Sequence, residues 1–283
     1  MPELSASMEA EFVKTGESTR LSRKFHSYPL KIAKPFSLAH GQLGVYVMDA
    51  SPGMMAGDRY KFKWELGEGA HVYATNQSMT KVHPSRKYAG GPLVPSVQQT
   101  TVLLRADSLF EYIPEPVMLY KDAALVSHTE IRMEAGSALI VSEILCPGRM
   151  SRGELFQFDS YKSKLSVFYN GETVYSGRQN IQPASTSFNA KGGWNGFTHL
   201  GSLCVFREGI CSKHVDTVRD TVRSYLESDP AYRFSAGVSL TYKHGLVLNV
   251  LGTGAEPIQR LLRSVWGALR LLLFGLPPLE IGK

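Results

Sequence analysis

The chain has 283 residues, a hydrophobic content of 43% and a net charge of +6 at pH 7. That length fits one large domain or two ordinary ones, and the apolar content suffices for a core. Lysine and arginine are spread among acids with no dominant block, which argues against a nucleic-acid protein. The three cysteines, Cys146, Cys204 and Cys211, are too few and odd in number for a disulfide framework.

The first residues, MPELSASMEAEF, are acidic and polar, without the apolar stretch of a signal peptide. The longest apolar run, around Leu271 to Phe274, is interrupted by Arg270 and falls short of the ~20 residues that a membrane helix needs. The expectation is a cytoplasmic protein with no membrane contact. Residues 1–19 read as a flexible start, and residues 20–283 as a single β-rich domain.

In chain order, short alternating runs fill Ser27 to Asp49. Residues 50–83 are then the densest in turns, strands and reactive side chains. The stretch opens with a Ser51-Pro52-Gly53 turn and the group Gly57-Asp58-Arg59. Gly reaches backbone angles that other residues strain to reach, so these glycines mark turns or close approaches. A strand is predicted from Tyr60 to Leu66, with Tyr60, Phe62 and Trp64 on one face and Lys61, Lys63 and Glu65 on the other. A Gly67-Glu68-Gly69 turn leads to a second strand, Ala70 to Thr75, and then to a polar cluster that includes Ser78, Thr80, Lys81 and His83. Asp58 reads either as a turn residue bonded to its own backbone or as a reactive acid.

Residues 84–97 carry Gly90-Gly91 and three prolines and read as a loop. Strands follow at Gln98 to Leu104, Leu109 to Ile113, Ala124 to Met133 and Ala138 to Leu145, with turns near Gly69, Asp107 and Gly136. Further strands are predicted at Lys164 to Phe168, Glu172 to Tyr175, Phe197 to Phe206 and Arg233 to Tyr242. Glycine-rich residues 177–196 read as a loop. Two helices interrupt the strands in the C-terminal third. Residues 212–228 place Val215, Val218 and Val222 on one face, and residues 257–274 place Leu261, Leu262, Val265, Trp266 and Leu269 on one broad face. That second face either packs on its own sheet or docks a partner, with Leu262, Trp266 and Leu269 as the candidate docking residues.

The motifs resemble the UreD (UreH) family of urease accessory proteins. The matching residues are Ser51-Pro52-Gly53, Gly57-Asp58-Arg59, Gly69-Ala70 and the run from Thr75 to His83. Downstream, Glu111-Tyr112-Ile113-Pro114-Glu115-Pro116 is similar to the family's W-x-P-x-P segment. Glu143 to Arg149, followed by Gly153-Glu154, is similar to its E-x-x-C-x-G-R segment. Two departures are Met54 where the family has a second Gly, and Leu276 where its closing segment has Arg.

The resemblance implies a mainly β fold, a β-solenoid of right-handed β-helix type with two C-terminal helices. It implies a non-enzymatic urease maturation factor that binds apo-urease with UreF and the GTPase UreG and helps deliver nickel. It implies no tightly bound cofactor, only transient nickel. By motif match the nickel path would involve Asp58, Thr75, Ser78, Thr80, Lys81, Glu111, Glu143 and Cys146, with Asp58 and Glu143 as the transient metal ligands. Ser51, Pro52, Gly53, Gly57, Arg149 and Glu154 would be structural.

The residues themselves add some constraints. No G-x-S-x-G elbow and no H-E-x-x-H or C-x-x-C pair is present. Cys204 and Cys211, flanked by His199 and His214, match no common zinc spacing. A transit route needs ligands that hold the ion weakly, and scattered carboxylates and hydroxyls fit that need. Glu143 lies in an apolar strand, where a charge needs a partner, and Arg149 is the candidate. The alternative function is a β-solenoid that binds or cleaves a polysaccharide. It would need an exposed carboxylate pair beside an aromatic platform such as Tyr60, Phe62 and Trp64.

Overall fold

The computed structural model describes residues 4–87, 93–185, 187–188, 190, 193–228, 233–279 and 281. The first strands are β1 (Ser5–Thr15), β2 (Ser18–His26), β3 (Leu30–Ile32), β4 (Phe36–Ser37), β5 (Leu43–Asp49), β6 (Arg59–Leu66), β7 (His71–Asn76) and β8 (Thr80–Val82). The middle of the chain forms β9 (Arg86–Lys87), β10 (Leu93–Val94), β11 (Ser96–Leu104), β12 (Leu109–Tyr112), β13 (Val117–Leu119), β14 (Ala124–Met133) and β15 (Ala138–Cys146). The last part forms β16 (Ser160–Tyr169), β17 (Glu172–Ile181), β18 (His199–Phe206), helix α1 (Ser212–Ser228), β19 (Phe234–Leu240), β20 (Gly245–Gly252) and helix α2 (Ala255–Phe274).

Successive strands shuttle between two sheets. The first sheet has the order β17-β16-β14-β11-β6-β1-β2, and the second runs β19-β20-β18-β15-β12-β7-β5-β3. Because the chain crosses from one sheet to the other and back, β1, β6, β11, β14 and β16 pair in parallel, as do β5, β7, β12 and β15. The turns predicted near Gly69, Asp107 and Gly136 stack on one another. The Gly69 amide donates to Ala106 O at 2.9 Å, and the Asp107 amide to Ala135 O at 3.1 Å. Gly136 has φ +72°, and a Cβ there would lie 2.0 Å from the Asp107 carboxylate.

The mainly β class and the two helices are as expected. The pairing does not confirm the expected β-solenoid of right-handed β-helix type. Antiparallel partners flank the parallel run (β2 on β1, β17 on β16, and β18, β20 and β19 beyond β15), so both sheets are mixed. Three local expectations change as well. The glycine-rich loop starts later, because β17 runs to Ile181. Gly245 to Gly252, not assigned from the sequence, is a strand. Part of the proline-rich loop forms the short β9–β10 pair, and its residues 88–92 lie outside the described residues.

The flexible N-terminus is also corrected. Residues 5–15 form β1, which lies between β2 and β6, and Ala6, Met8, Ala10 and Phe12 are buried. The alternation Ala6-Met8-Ala10-Phe12 is a strand period that small and polar neighbours conceal. Between the sheets, Trp64 packs on Phe12 at 6.2 Å and on Phe110 at 5.6 Å between ring centroids. The outer face of the second sheet is covered by α2, whose apolar stripe buries Leu261, Val265 and Leu269.

Phe12 tests the corrected N-terminus. Phe12→Ala should lower the unfolding free energy by ~3–5 kcal/mol, as large-to-small core changes do. A loosely attached start would give a change within about 0.5 kcal/mol. Denaturant unfolding separates the two.

Candidate functional site

Parallel register carries polar residues into the space between the sheets. On the inward face of the first sheet, Gln98, Ser127 and Ser163 share one row, and Thr100 and Thr129 share the next. Opposite them, β15 presents Glu143 and β18 presents Ser202 and Cys204. Together with Asn76 and Thr80 these groups line a cavity of about 70 Å³. A water needs roughly 10–15 Å³ by this measure, so the cavity has room for on the order of five waters with hydroxyl and amide partners.

Glu143 is, with Glu115, one of the two carboxylates that line this cavity. The Tyr161 hydroxyl donates to its Oε1 at 2.5 Å. Arg149, the expected partner, lies elsewhere. Its Nε donates to Glu154 Oε2 at 2.7 Å, Nη2 bonds the other oxygen, and the guanidinium stacks over Tyr120 at 4.1 Å. The physical reason is strand parity: Glu143 points inward between the sheets, and Arg149 follows the Gly148 turn after β15. Burial raises the Glu143 carboxyl above its ordinary 4.5, opposed by hydrogen bonds from Tyr161 and Ser163. The same burial lifts the Tyr161 hydroxyl well above 10.

A smaller space adjoins this cavity and shares Pro114, Glu115, Ser142 and Ile144 with it. It lies between the second sheet and α2, beside Tyr73, Gln259, Arg263 and Trp266. Gln259 Nε2 donates to Glu115 Oε2 at 3.0 Å across it. The two spaces thus share lining residues, one lying between the sheets and the other on the underside of the helix.

The remaining predicted residues do not converge on Glu143, apart from Thr80. Asp58 is buried and its carboxylate accepts the amides of Leu4 at 3.1 Å and Met55 at 2.8 Å, so it closes its own turn and ties down the N-terminus. Ser51 Oγ donates to Asp49 at 2.6 Å. Gly53 has φ +132°, and a Cβ there would come within 2.4 Å of Lys81 O, so this turn against β8 requires glycine. Ser78 and Lys81 are exposed, and Thr75 is fully buried. Cys146 is buried and its thiol is pushed up to about 12 by burial.

Glu111 points to the other face of the second sheet. It is fully buried under α2, where Arg270 Nη1 bonds its Oε2, Gln42 Nε2 donates to the same oxygen at 2.9 Å, and Arg270 Nη2 donates to Gln42 Oε1 at 2.9 Å. Arg270 Nε donates to Pro277 O at 2.7 Å. The other carboxylate oxygen stands 3.8 Å from His71 Nε2. Burial pulls the Arg270 guanidinium down from its ordinary value, and Glu111 opposes that shift. This cluster joins residues as many as 228 positions apart, so sequence spacing could not reveal it. Tyr161, Ser163, Gln98 and Ser127 were also missed. Their signal was polar side chains at the inward parity of otherwise apolar strands.

Two further expectations are revised. Leu262, Trp266 and Leu269, the candidate docking residues, are buried on the second sheet, and Trp266 stacks on Tyr73 at 5.6 Å. An apolar helix face beside an apolar sheet face covers it instead of leaving it open. Among the described residues, no three His, Cys, Asp or Glu groups come together as a metal cage. Cys204 is buried on β18, while Cys211 is exposed with Sγ 3.5 Å from His214 Nδ1. Tyr60, Phe62 and Trp64 lie in the core, so they make no exposed sugar platform. No described helix is long and apolar enough to cross a membrane.

The comparisons with known proteins agree with this arrangement. A family model described as "UreD urease accessory protein" matches residues 5–281. A urease accessory protein UreD of Acetivibrio thermocellus is 34% identical over 248 residues, covering 87% of this chain and 90% of the relative. One from Bacillus sp. is 26% identical over 268 residues, covering 95% and 94%. The fold is mainly β, two mixed sheets around an apolar core that includes one partly polar cavity, and the matched relatives are urease accessory proteins. The chain belongs to the UreD urease accessory protein family, and its role lies in urease maturation.

Two outcomes follow from Glu111 and Glu143. Arg270→Met alone should strand the Glu111 charge and cost ~3–5 kcal/mol, with much of this recovered in Arg270→Met with Glu111→Leu. Thermal or denaturant melts of both variants check this. For Glu143 the sign is opposite to that of an ion-paired acid. Its folded value is raised, so the native state holds the proton more tightly, and stability falls as pH rises from about 4.5 toward the raised value. Glu143→Gln should therefore flatten that decline and melt higher than wild type at pH 7, while matching it near pH 4.

Proposed function

We propose that the protein serves urease maturation as a non-catalytic scaffold whose polar interior conducts nickel toward apo-urease, in complex with UreF and UreG. The observation that carries this reading is the cavity between the sheets. It has room for several waters, is lined in part by hydroxyls and amides, and holds the half-buried carboxylates of Glu143 and Glu115, the second of which also lines the smaller space beside α2. Nickel is here a cargo, and its path should bind it weakly.

The chemistry of Glu143 suits that task. Carboxylate oxygen is an acceptable ligand for a divalent first-row ion. Burial favours the protonated form, so an arriving cation must displace a proton, which weakens its hold. The surrounding hydroxyls of Ser127, Thr129 and Ser163 can replace part of a hydration shell without forming a closed cage. Thr80 and Asn76 line the same space. Asp58, which closes a turn with two amide bonds, acts as a structural acid in this reading. The polysaccharide alternative loses its aromatic platform to the core.

The test is urease activation reconstituted from apo-urease, UreF, UreG, GTP, nickel and bicarbonate, with and without this chain. Omitting the chain should abolish activation. Glu143→Gln should leave the complex intact in co-purification and slow activation about tenfold, equivalent to ~1.4 kcal/mol of barrier. Full-rate activation without the chain would sink the scaffold reading. Full-rate activation with the variant would sink the role of Glu143 alone.

A further inference from the structure

The outer face of the seven-stranded sheet carries an uncompensated cationic stripe. Register places Ser5, Arg59, Val97, Val126, Lys162 and Asn180 in one row across the strands. The next row holds Ser7, Lys61, Gln99, His128, Lys164 and Arg178. The two rows contain five lysines and arginines, a histidine and no acid. Arg59, Lys61, His128, Lys162 and Arg178 are exposed and Lys164 is half-buried. None of these groups takes part in the salt bridges found among the described residues, although Arg23, Lys63, Arg105 and Arg132 on the same face all do.

This pattern is unfavourable for the sheet taken alone. Lys164 and Arg178 are direct cross-strand partners, and like charges in that position repel. Arg59 with Lys61, and Lys162 with Lys164, are spaced two residues apart on the same face, roughly 7 Å. Acidic residues at alternate positions of an extended chain have the same spacing. Three strand steps separate β6 from β16, about 14 Å, so the two basic pairs form a patch wide enough for one such segment.

We infer that this stripe docks an acidic, extended protein segment, with carboxylates on Arg59, Lys61, Lys162, Lys164 and Arg178. The bounds of the stripe favour a protein over a nucleic acid. The next row brings in Glu9 and Glu130, and the row after it Glu11 and Glu65, each ion-paired to Arg23, Lys63 or Arg132, so the uncompensated positive charge ends at the second row and a long polyanion would gain nothing past the patch. Neither basic row has an aromatic ring on which a base could stack. The inference rests on the sheet face alone and does not depend on the role of the interior cavity.

Fluorescence anisotropy with a labelled peptide of five Glu-Ser repeats tests it on the full chain. Binding should be measurable at low salt and weaken as salt is added. Lys61→Glu with Lys164→Glu should weaken it at least tenfold. Lys61→Gln with Lys164→Gln should also weaken it, though less, so that a fold damaged by charge reversal cannot mimic the result. Lys213→Glu with Arg223→Glu, on α1, should leave it unchanged. Equal loss from the α1 pair, or no binding by the native chain, would overturn the inference. Tighter binding of a single-stranded oligonucleotide of equal charge would overturn the choice of a protein partner.

Discussion

Parallel backbone pairing between alternating strands is the constraint on which the rest of the molecule depends. Once β6, β11, β14 and β16 are locked in parallel, every residue acquires a row as well as a face. A polar side chain at an inward position then meets polar side chains on the neighbouring strands. Gln98, Ser127 and Ser163 come together for this reason, and so do the outward cations of the next residues along. One set of ladders thus builds both an internal wet space and an external charged stripe. A one-residue slip of any strand would exchange them.

Glu111, fully buried, and Glu143, half-buried, show how the same chemical group is handled on the two faces of one sheet. Glu111 lies beneath α2 and is held as a charge, by Arg270 and by the amide of Gln42. That arrangement fastens the helix end and the chain near Pro277 to the sheet, and it commits the carboxylate to structure. Glu143 faces the cavity, and its hydrogen-bond partners among the described residues are the hydroxyls of Tyr161 and Ser163. Desolvation therefore shifts its proton affinity upward and leaves it responsive to whatever enters. The difference comes from the neighbours and not from the acid itself.

The helices belong to this logic as covers. α2 presents a stripe wide enough to close the outer face of the second sheet, and Trp266 on Tyr73 marks the centre of that contact. Among the described residues no helix covers the first sheet, and its outer face is largely polar, with two basic rows beside mixed-charge ones, where α2 would have demanded apolar residues. The family assignment places this chain in urease maturation, a task carried out by accessory proteins acting on another protein.

The local elements were legible in the sequence because their causes are local. The alternation of Tyr60, Phe62 and Trp64, the stacked turns at Gly69, Asp107 and Gly136, and the apolar stripe of α2 are all set by neighbours within a few residues. The order of the motifs along the chain also carries the likeness to the UreD family. The place of β1 was not legible, since Ala6, Met8, Ala10 and Phe12 become a core strand only when β6 lies beside them. The partners of the buried charges were not legible either. Arg270 reaches Glu111 and Gln42 across most of the chain, and Glu143 takes Tyr161 instead of the nearer Arg149. Sequence by itself determined which residues could form strands, turns and helices, because dihedral preference and periodicity act over short range. Only the tertiary structure decided which polar groups meet, because strand register and helix packing join residues that no spacing along the chain connects.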